Sequence, residues 1–422
     1  RVPLGGSRQR LMLRVLTFSS LFPSSARPGH GIFVETRLRE LLKTGAVDAR
    51  VVAPVPWFPS QHPRWGSYAK MAATPRREHR NGLDVLHPRY LLAPKIGMLS
   101  APWSMAWAAR TELQRLRDEG FDFDLIDAHY FYPDGVAAAL LARWFKRPLM
   151  ITARGSDLSL ISEYRLPRRW MQQAAAQAGA CVGVCNALVD VLRGWGLPET
   201  KLGVIRNGVD LQRFHRLPRG QARQQLGLPA TAPLFLCVGN LVELKGHRFV
   251  IEALARLRQQ HPEAELALVG EGPLRDELQR QALALGLGSA VRFVGRVPNE
   301  QLYTWYSAAH ALVLASSREG WANVLLESMA CGTPVIATRI WGTPEVVQPD
   351  SGGLLVERNA ESIEAAMRQL LQAGPAVGQV RAYAERFGWE PSSRAQLALM
   401  QSLLAPAQPH GAPPGSSGAN HA

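Results

Sequence analysis

Residues 232–273 read APLFLCVGNLVELKGHRFVIEALARLRQQHPEAELALVGEGP. Two short apolar runs, LFLCV and ELALV, each end in a glycine turn. Between them, VIEALARL repeats apolar positions at helical spacing. A near-continuous apolar run is how a strand reads when both its faces are covered, as in a parallel sheet. Strand, helix and strand in that order make a βαβ unit. Outward from it the alternation continues. AVRFVGRVP, ALVLASSREG, PVIAT and GGLLVE read as strands, and NEQLYTWYSAAH and NVLLESMACG as helices. Upstream the same pattern runs through LRVLTFSSLFP, DARVVAPVP, FDLIDAHY, PLMITAR, ACVGVCN and KLGVIRNG. The expected fold class is therefore α/β, with two Rossmann-like domains. Their joint falls in RNGVDLQRFHRLP (206–218), where Asn-Gly and Pro suit a turn and linker.

These boundaries give an expected first domain over 10–205 and a second over 206–388. A helix over 389–404 follows, then a Pro/Gly/Ser-rich tail over 405–422 that is expected to be disordered. Two such sheets facing each other leave a cleft, and ligands of open α/β sheets bind outside the strand C-termini. A chain of 422 residues suits two or three cores. With 46% hydrophobic and 19% charged residues it reads as folded and globular. No apolar run approaches the roughly 18–20 residues of a membrane-spanning helix. RVPLGGSRQR lacks the apolar stretch of a secretion signal, so a cytoplasmic location is expected. Cys181, Cys185, Cys237 and Cys331 lack zinc-site neighbours and read as buried, reduced thiols.

The formal charge is +14. Residues 1–205 carry 28 Lys+Arg against 16 Asp+Glu, a net of +12, and residues 206–422 carry 20 against 18, a net of +2. Such asymmetry speaks of an anionic partner rather than of fold. The arginines are scattered and no nucleic-acid reading motif is present, which leaves a membrane surface, an anionic substrate, or a basic surface that merely reflects an arginine-rich proteome. The stretch YLLAPKIGMLSAPWSMAWAARTELQRL (90–116) bears on this, with Lys95, Arg110, Trp103 and Trp107 among apolar residues. It has two readings: an amphipathic face for a membrane interface, or tryptophans packed on the core.

Three strand ends in the second half carry glycine turns. Gly239 and Asn240 precede Lys245; Gly270 and Gly272 flank Glu271; Gly295 precedes Arg296 and Val297, with Asn299 expected as a helix cap. Such turns let backbone N–H groups and a lysine approach a phosphate. Residues 317–338, SREGWANVLLESMACGTPVIAT, then place Glu319 in a loop and Glu327 about one turn into a helix. Two carboxylates on either side of first-turn amides at Asn323, Val324 and Leu325 suit the hydroxyls of a sugar diphosphate. Asp122 and Asp124 in FDFDLI sit at a strand entry, and no metal site is expected from them.

This stretch resembles the E-x7-E signature of retaining family-4 glycosyltransferases of the GT-B fold. The resemblance extends over nearly the whole chain, through LFPSSARPGHGIFVETRLREL, RNGVDLQRF, VGNLVELKGH, LVGEGP, VGRVP and GWEPSSRAQLALMQSLL. It implies that the final helix crosses back to the first domain. It also implies roles. Glu327 would hold the nucleotide ribose, and Glu319 the donor sugar. Gly320, Asn323, Val324 and Leu325 would face sugar and phosphate. Lys245, beside Gly239 and Asn240, would sit on the diphosphate, while Gly270, Glu271, Arg296 and Val297 would bracket the nucleotide. His129 would lie near the transferred sugar and share the chemistry with Glu319 and Lys245. Gly29, Gly31, Arg154, Asp157, Arg206 and Asn207 would line the acceptor side and the cleft.

Two positions depart from the family pattern. Asn240 stands where many members have arginine, and Arg154 where many have histidine before Gly-Ser-Asp. Arg154 would either restore the lost cation or bind the acceptor. The resemblance implies a UDP- or GDP-linked hexose as substrate, with no cofactor or metal. The net charge of +12 on the first half points to a lipid-linked sugar acceptor at the inner face of the plasma membrane, and the variants Asn240 and Arg154 are similar to a subgroup that builds bacterial surface polysaccharides. The rival readings are a soluble transferase with a small sugar or sugar-phosphate acceptor, and a non-catalytic sugar-binding module.

Overall fold

The computed structural model describes residues 12–92 and 97–405. The expected tail past residue 405, the first residues of the chain and Lys95 lie outside them.

Two parallel sheets form the framework. The first has eight strands in the order Leu202–Val204, Ala180–Gly183, Leu149–Ala153, Leu125–His129, Leu13–Phe18, Val47–Val52, Leu83–Leu86 and Arg77–Arg80. Only the last pair is antiparallel. The second has six parallel strands in the order Val291–Gly295, Glu265–Val269, Leu234–Val238, Ala311–Leu314, Val335–Thr338 and Leu354–Val356. The strand LFLCV shows why these runs are apolar throughout. Phe235 and Cys237 feed the core on one face of the sheet, while Leu234, Leu236 and Val238 feed the other. Each fully buried side chain of this size contributes about 1.5–3 kcal/mol.

Each sheet reverses direction beside its first strand. Leu13–Phe18 lies between Val47–Val52 and Leu125–His129, and Leu234–Val238 lies between Glu265–Val269 and Ala311–Leu314. The loops leaving these strands diverge, which opens a crevice at each switch point.

The last helix, Trp389–Ser402, packs on the first sheet. Met400 is fully buried in the cluster that holds Val15, Val182 and Ile205, with Leu397 and Leu399 against it. Gln396 anchors it: its Nε2 donates to Asp127 Oδ2 at 2.9 Å, and Arg37 Nε donates to its Oε1 at 2.7 Å. The four cysteines are free and buried. Among the described residues, no helix is long and apolar enough to cross a membrane.

Asn299 differs from its expected role. It opens the 3₁₀ turn Asn299–Gln301 without capping it, and its Oδ1 instead accepts from Arg213 Nη1 at 2.9 Å. A guanidinium is the stronger donor, so the side chain turns toward it.

Candidate active site

The second sheet's switch point brings Lys245 and Glu319 together. Lys245 follows Leu234–Val238, Glu319 follows Ala311–Leu314, and the two side chains form an ion pair. Ser316 Oγ also donates to Glu319 Oε1, at 2.7 Å. The stem of Lys245 lies over Gly239, where a Cβ would stand 3.5 Å from its Cε. Gly270 explains the glycine turns of the neighbouring strands. Its φ is 145°, and a Cβ there would lie 2.0 Å from the Gly239 carbonyl oxygen. Its N–H donates to Gly295 O at 2.8 Å, and Leu241 N–H to Glu271 O at 2.9 Å. The turns are thus stitched to one another backbone to backbone, a packing only glycine allows. Arg296 is exposed and reaches across to Gly29, while Val297 packs partly buried against the core.

The helix Asn323–Ala330 begins at the cavity, and Gly332 follows it at φ 78°. Asn323 and Val324 line the cavity. Leu325 departs from the expected donor contact: its side chain is fully buried, and its N–H donates to Ala322 O at 3.0 Å. Glu327 Oε2 accepts from the Tyr306 hydroxyl at 2.8 Å. Burial pushes its carboxyl up to about 7, against an ordinary 4.5. The folded protein therefore holds this proton more tightly than the unfolded chain. Stability from this group is fully present below about pH 4.5 and is lost as pH rises to about 7. Glu327→Gln is expected to raise the melting temperature above about pH 7 and to have little effect below about pH 4.5. Melting curves across pH check this; an equal effect at both ends would contradict it.

Across the cleft, the first sheet presents Arg154 rather than His129. Arg154 follows the strand Leu149–Ala153, is 9% exposed and lines the cavity. His129 ends the neighbouring strand, is 1% exposed and stands behind it. Arg154 Nη2 meets His129 Nδ1 at 2.6 Å, and His129 Nε2 meets Asp127 Oδ2 at 3.2 Å. Desolvation pushes the imidazole down to about 4, with Asp127 opposing. A neutral ring accepting at Nδ1 and donating at Nε2 satisfies both neighbours, which assigns the tautomer from the hydrogen bonds. Asp127 also takes the bond from Gln396, so the last helix connects through Asp127 and His129 to Arg154.

Asn207 joins the two domains. Its Oδ1 accepts from Arg154 Nη1 at 3.1 Å, and its Nδ2 donates to Asn323 Oδ1 at 3.2 Å. Asp157 is fully buried, and its oxygens accept from the N–H groups of Phe131, at 2.8 Å, and Gly155, at 2.8 Å. It shapes the loop rather than facing the cavity. Arg206 turns away from the cavity to bond Glu345 Oε2 at 2.6 Å. Glu345 also accepts from Asn186 N–H at 2.7 Å, a second tie between the domains. Gly31 begins the helix Ile32–Leu42, close against Leu21. Gly320 touches the first domain directly: a Cβ there would lie 2.3 Å from Arg154 O.

The result is a cavity of about 300 Å³ whose wall includes Phe33, Arg154, Asn207, Lys245, Glu319 and Asn323. A smaller hollow, about 50 Å³, adjoins it at Phe33 and Asn323 and holds Glu327 and Arg213. Sequence reasoning missed Phe33 and Trp321, which both line the larger cavity, and also Asp127, Gln396 and Tyr306. Asp127 had a usable signal, since it precedes His129 by two residues and shares its face of a strand. Tyr306 and Gln396 had none.

The family described as "Glycosyl transferases group 1" matches residues 218–387, and "Glycosyltransferase Family 4" matches 74–213. TuaC of Bacillus subtilis (strain 168), named as a teichuronic acid biosynthesis glycosyltransferase, is 31% identical over 84% of this chain and 88% of its own. The D-inositol 3-phosphate glycosyltransferase 1 of Catenulispora acidiphila is 30% identical over 93% of this chain and 96% of its own. Among solved structures, sucrose-phosphate synthase from Thermosynechococcus elongatus superposes with a TM-score of 0.73 at 22% identity, covering 93% of this chain and 99% of that one. Anabaena HepE in complex with UDP-glucose gives 0.68 at 20% identity, covering 93% and 100%. The structural likenesses establish the fold and the sequence relatives the family. The chain belongs to the family-4 glycosyltransferases and has the GT-B fold.

Proposed function

We propose that the protein moves a hexose from a UDP- or GDP-linked donor to a lipid-linked sugar acceptor, with retention at the anomeric carbon, in synthesis of a bacterial surface glycan. The observation that carries this reading is the cavity at both strand-end edges, with Lys245 and Glu319 on one wall and Arg154 on the other. In the reaction the bond from the anomeric carbon to the diphosphate oxygen breaks, and a bond to the acceptor oxygen forms on the same face. The acceptor proton passes to the leaving phosphate oxygen. Lys245, Arg154 and the amides of Asn323 and Val324 stabilise the charge growing on that leaving group. Glu319 accepts from donor-sugar hydroxyls, and Glu327 from the ribose. The nucleotide sugar is a substrate, and this scheme calls for no cofactor or metal. The protein would act at the cytoplasmic face of the plasma membrane, where the name of TuaC favours a surface glycan as product.

A second reading has a specific support. Several relatives are named D-inositol 3-phosphate glycosyltransferases, which favours a small phosphorylated acceptor with the same donor machinery.

A thermal-shift series with UDP, GDP and ADP tests the donor half. One nucleotide, at about a hundred times its dissociation constant, is expected to stabilise the fold by about 2.7 kcal/mol. No shift with any of them would contradict the reading.

A further inference from the structure

The helix Gly97–Asp118 has an unusual outward face. Its inward residues, including Ala101, Met105, Ala106, Ala109 and Leu113, are buried as an amphipathic helix requires. Its outward face should be polar, and from Thr111 to Asp118 it is. Over its first half it is not: Met98 is 43% exposed, Leu99 38%, Trp103 42% and Trp107 68%. Leu99, Trp103 and Trp107 recur every four residues, so they form one stripe. Leu91 and Leu92, just before the helix, are also exposed, and Leu91 N–H is bonded to Ser104 Oγ at 2.9 Å. The exposed Trp144 extends the patch from the helix Val136–Phe145, with its ring 6.2 Å from that of Trp107. Large apolar side chains gathered on one surface mark a docking site.

The rim is cationic. Arg110 sits over Trp107 and Trp144, with its guanidinium carbon 5.8 and 5.1 Å from the ring centroids. Arg143 and Lys146 are exposed on and beside the neighbouring helix. Arg165 and Arg169 are exposed on the helix Arg165–Gln177, whose Trp170 ring lies 4.5 Å from Trp103. Leucine and tryptophan surrounded by arginine and lysine match the boundary of an anionic bilayer, where rings sit at headgroup level and cations meet lipid phosphates. The patch is tied to the strand ends of the first sheet. The Tyr132 hydroxyl donates to Met98 O. Tyr132 belongs to the segment Phe131–Gly135, which begins two residues after His129.

We propose that this surface, centred on Leu99, Trp103, Trp107 and Trp144, docks the protein on an anionic lipid bilayer. Docking there would present the first-domain wall of the cleft to the membrane plane. The presentation of a lipid-linked acceptor rests on the transferase reading; the docking itself does not.

Co-sedimentation of the full chain with vesicles of phosphatidylcholine, with and without phosphatidylglycerol, tests the proposal. The wild type is expected to pellet with the phosphatidylglycerol vesicles and to be released by added salt. Trp107→Ser is expected to lower partitioning about tenfold, as is the charge reversal Arg143→Glu with Arg169→Glu. Both variants alter exposed positions, and an unchanged melting temperature and nucleotide shift would show that fold and donor site are intact. Wild-type protein that stays in the supernatant overturns the proposal, as do variants that bind like the wild type. So does a wild-type dimer that Trp107→Ser dissolves without any vesicle binding, since the occupant would then be a second copy. A protein that binds vesicles but gives no nucleotide shift would instead overturn the donor reading alone.

Discussion

Glu319→Gln is expected to lower sugar transfer by roughly two to three orders of magnitude while leaving the thermal shift from the bare nucleotide nearly intact. The geometry separates these effects. Glu319 Oε1 holds Lys245 Nζ and the Ser316 hydroxyl at the switch point of the second sheet, so it sets where the cation stands. It also belongs to the wall of the larger cavity, whereas Glu327 belongs to the smaller hollow beside it. Glutamine keeps a carbonyl oxygen for Lys245 Nζ and the Ser316 hydroxyl, but it weakens acceptance from donor-sugar hydroxyls, which the bare nucleotide lacks. Glu327→Ala should do the reverse. It removes an acceptor for ribose hydroxyls, so bare-nucleotide affinity should fall about tenfold or more, the scale of a charge-assisted hydrogen bond. Titration of each variant with the nucleotide, followed by transfer rates at saturating donor, separates the two. Equal losses of affinity in both variants would sink the division of roles.

Much of this arrangement was readable from the chain because the signals were local. Apolar runs ending in glycine mark covered strands that stop at a crevice, and Gly239, Gly270 and Gly295 fall at three such ends. The backbone contact between Gly239 and Gly270 supplies a reason for glycine that strand reading alone does not contain. What was not readable depends on partners far apart in sequence. Arg37 and Gln396 are hydrogen-bonded across 359 positions, and no periodicity reports that bond. Asn299 followed a capping rule, yet a guanidinium from residue 213 competed for its oxygen. The Trp103 and Trp107 stretch allowed both a core and a surface reading, because four-residue spacing fixes a shared face but not which face turns inward. Its buried residues, Ala101, Met105 and Ala109, are smaller on average than the exposed ones, the opposite of what residue size alone suggests.

The same long-range network shapes the site's charge. Asn240, where the family resemblance would place an arginine, is exposed in the turn after Leu234–Val238 and is not among the residues that line the cavity. Arg154 stands on the facing wall, held from behind by neutral His129 and from the side by Asn207. Its Nε has no hydrogen-bond partner among the described residues. The guanidinium lines the cavity it shares with Lys245, and in the proposed reaction it would meet phosphate oxygens there.

Arg154→Ala is therefore expected to lower transfer by about two orders of magnitude, and Arg154→Lys to recover only part of it, because lysine lacks the planar fork that meets His129 and Asn207 together. The decisive variant adds Asn240→Arg to Arg154→Ala. If Arg154 neutralises the donor diphosphate, a cation restored on the second-domain wall should return about tenfold in affinity for the nucleoside diphosphate, with little change for the nucleoside. If Arg154 serves the acceptor, the added arginine should leave the loss in transfer untouched and the acceptor KM raised. His129→Gln gives the matching control on orientation. It keeps a neutral side chain that can accept from Arg154 and donate to Asp127, so it should retain more transfer than His129→Leu, which leaves two charged groups without their shared partner. Equal activity in those two variants would show that the imidazole fills space behind Arg154 without orienting it.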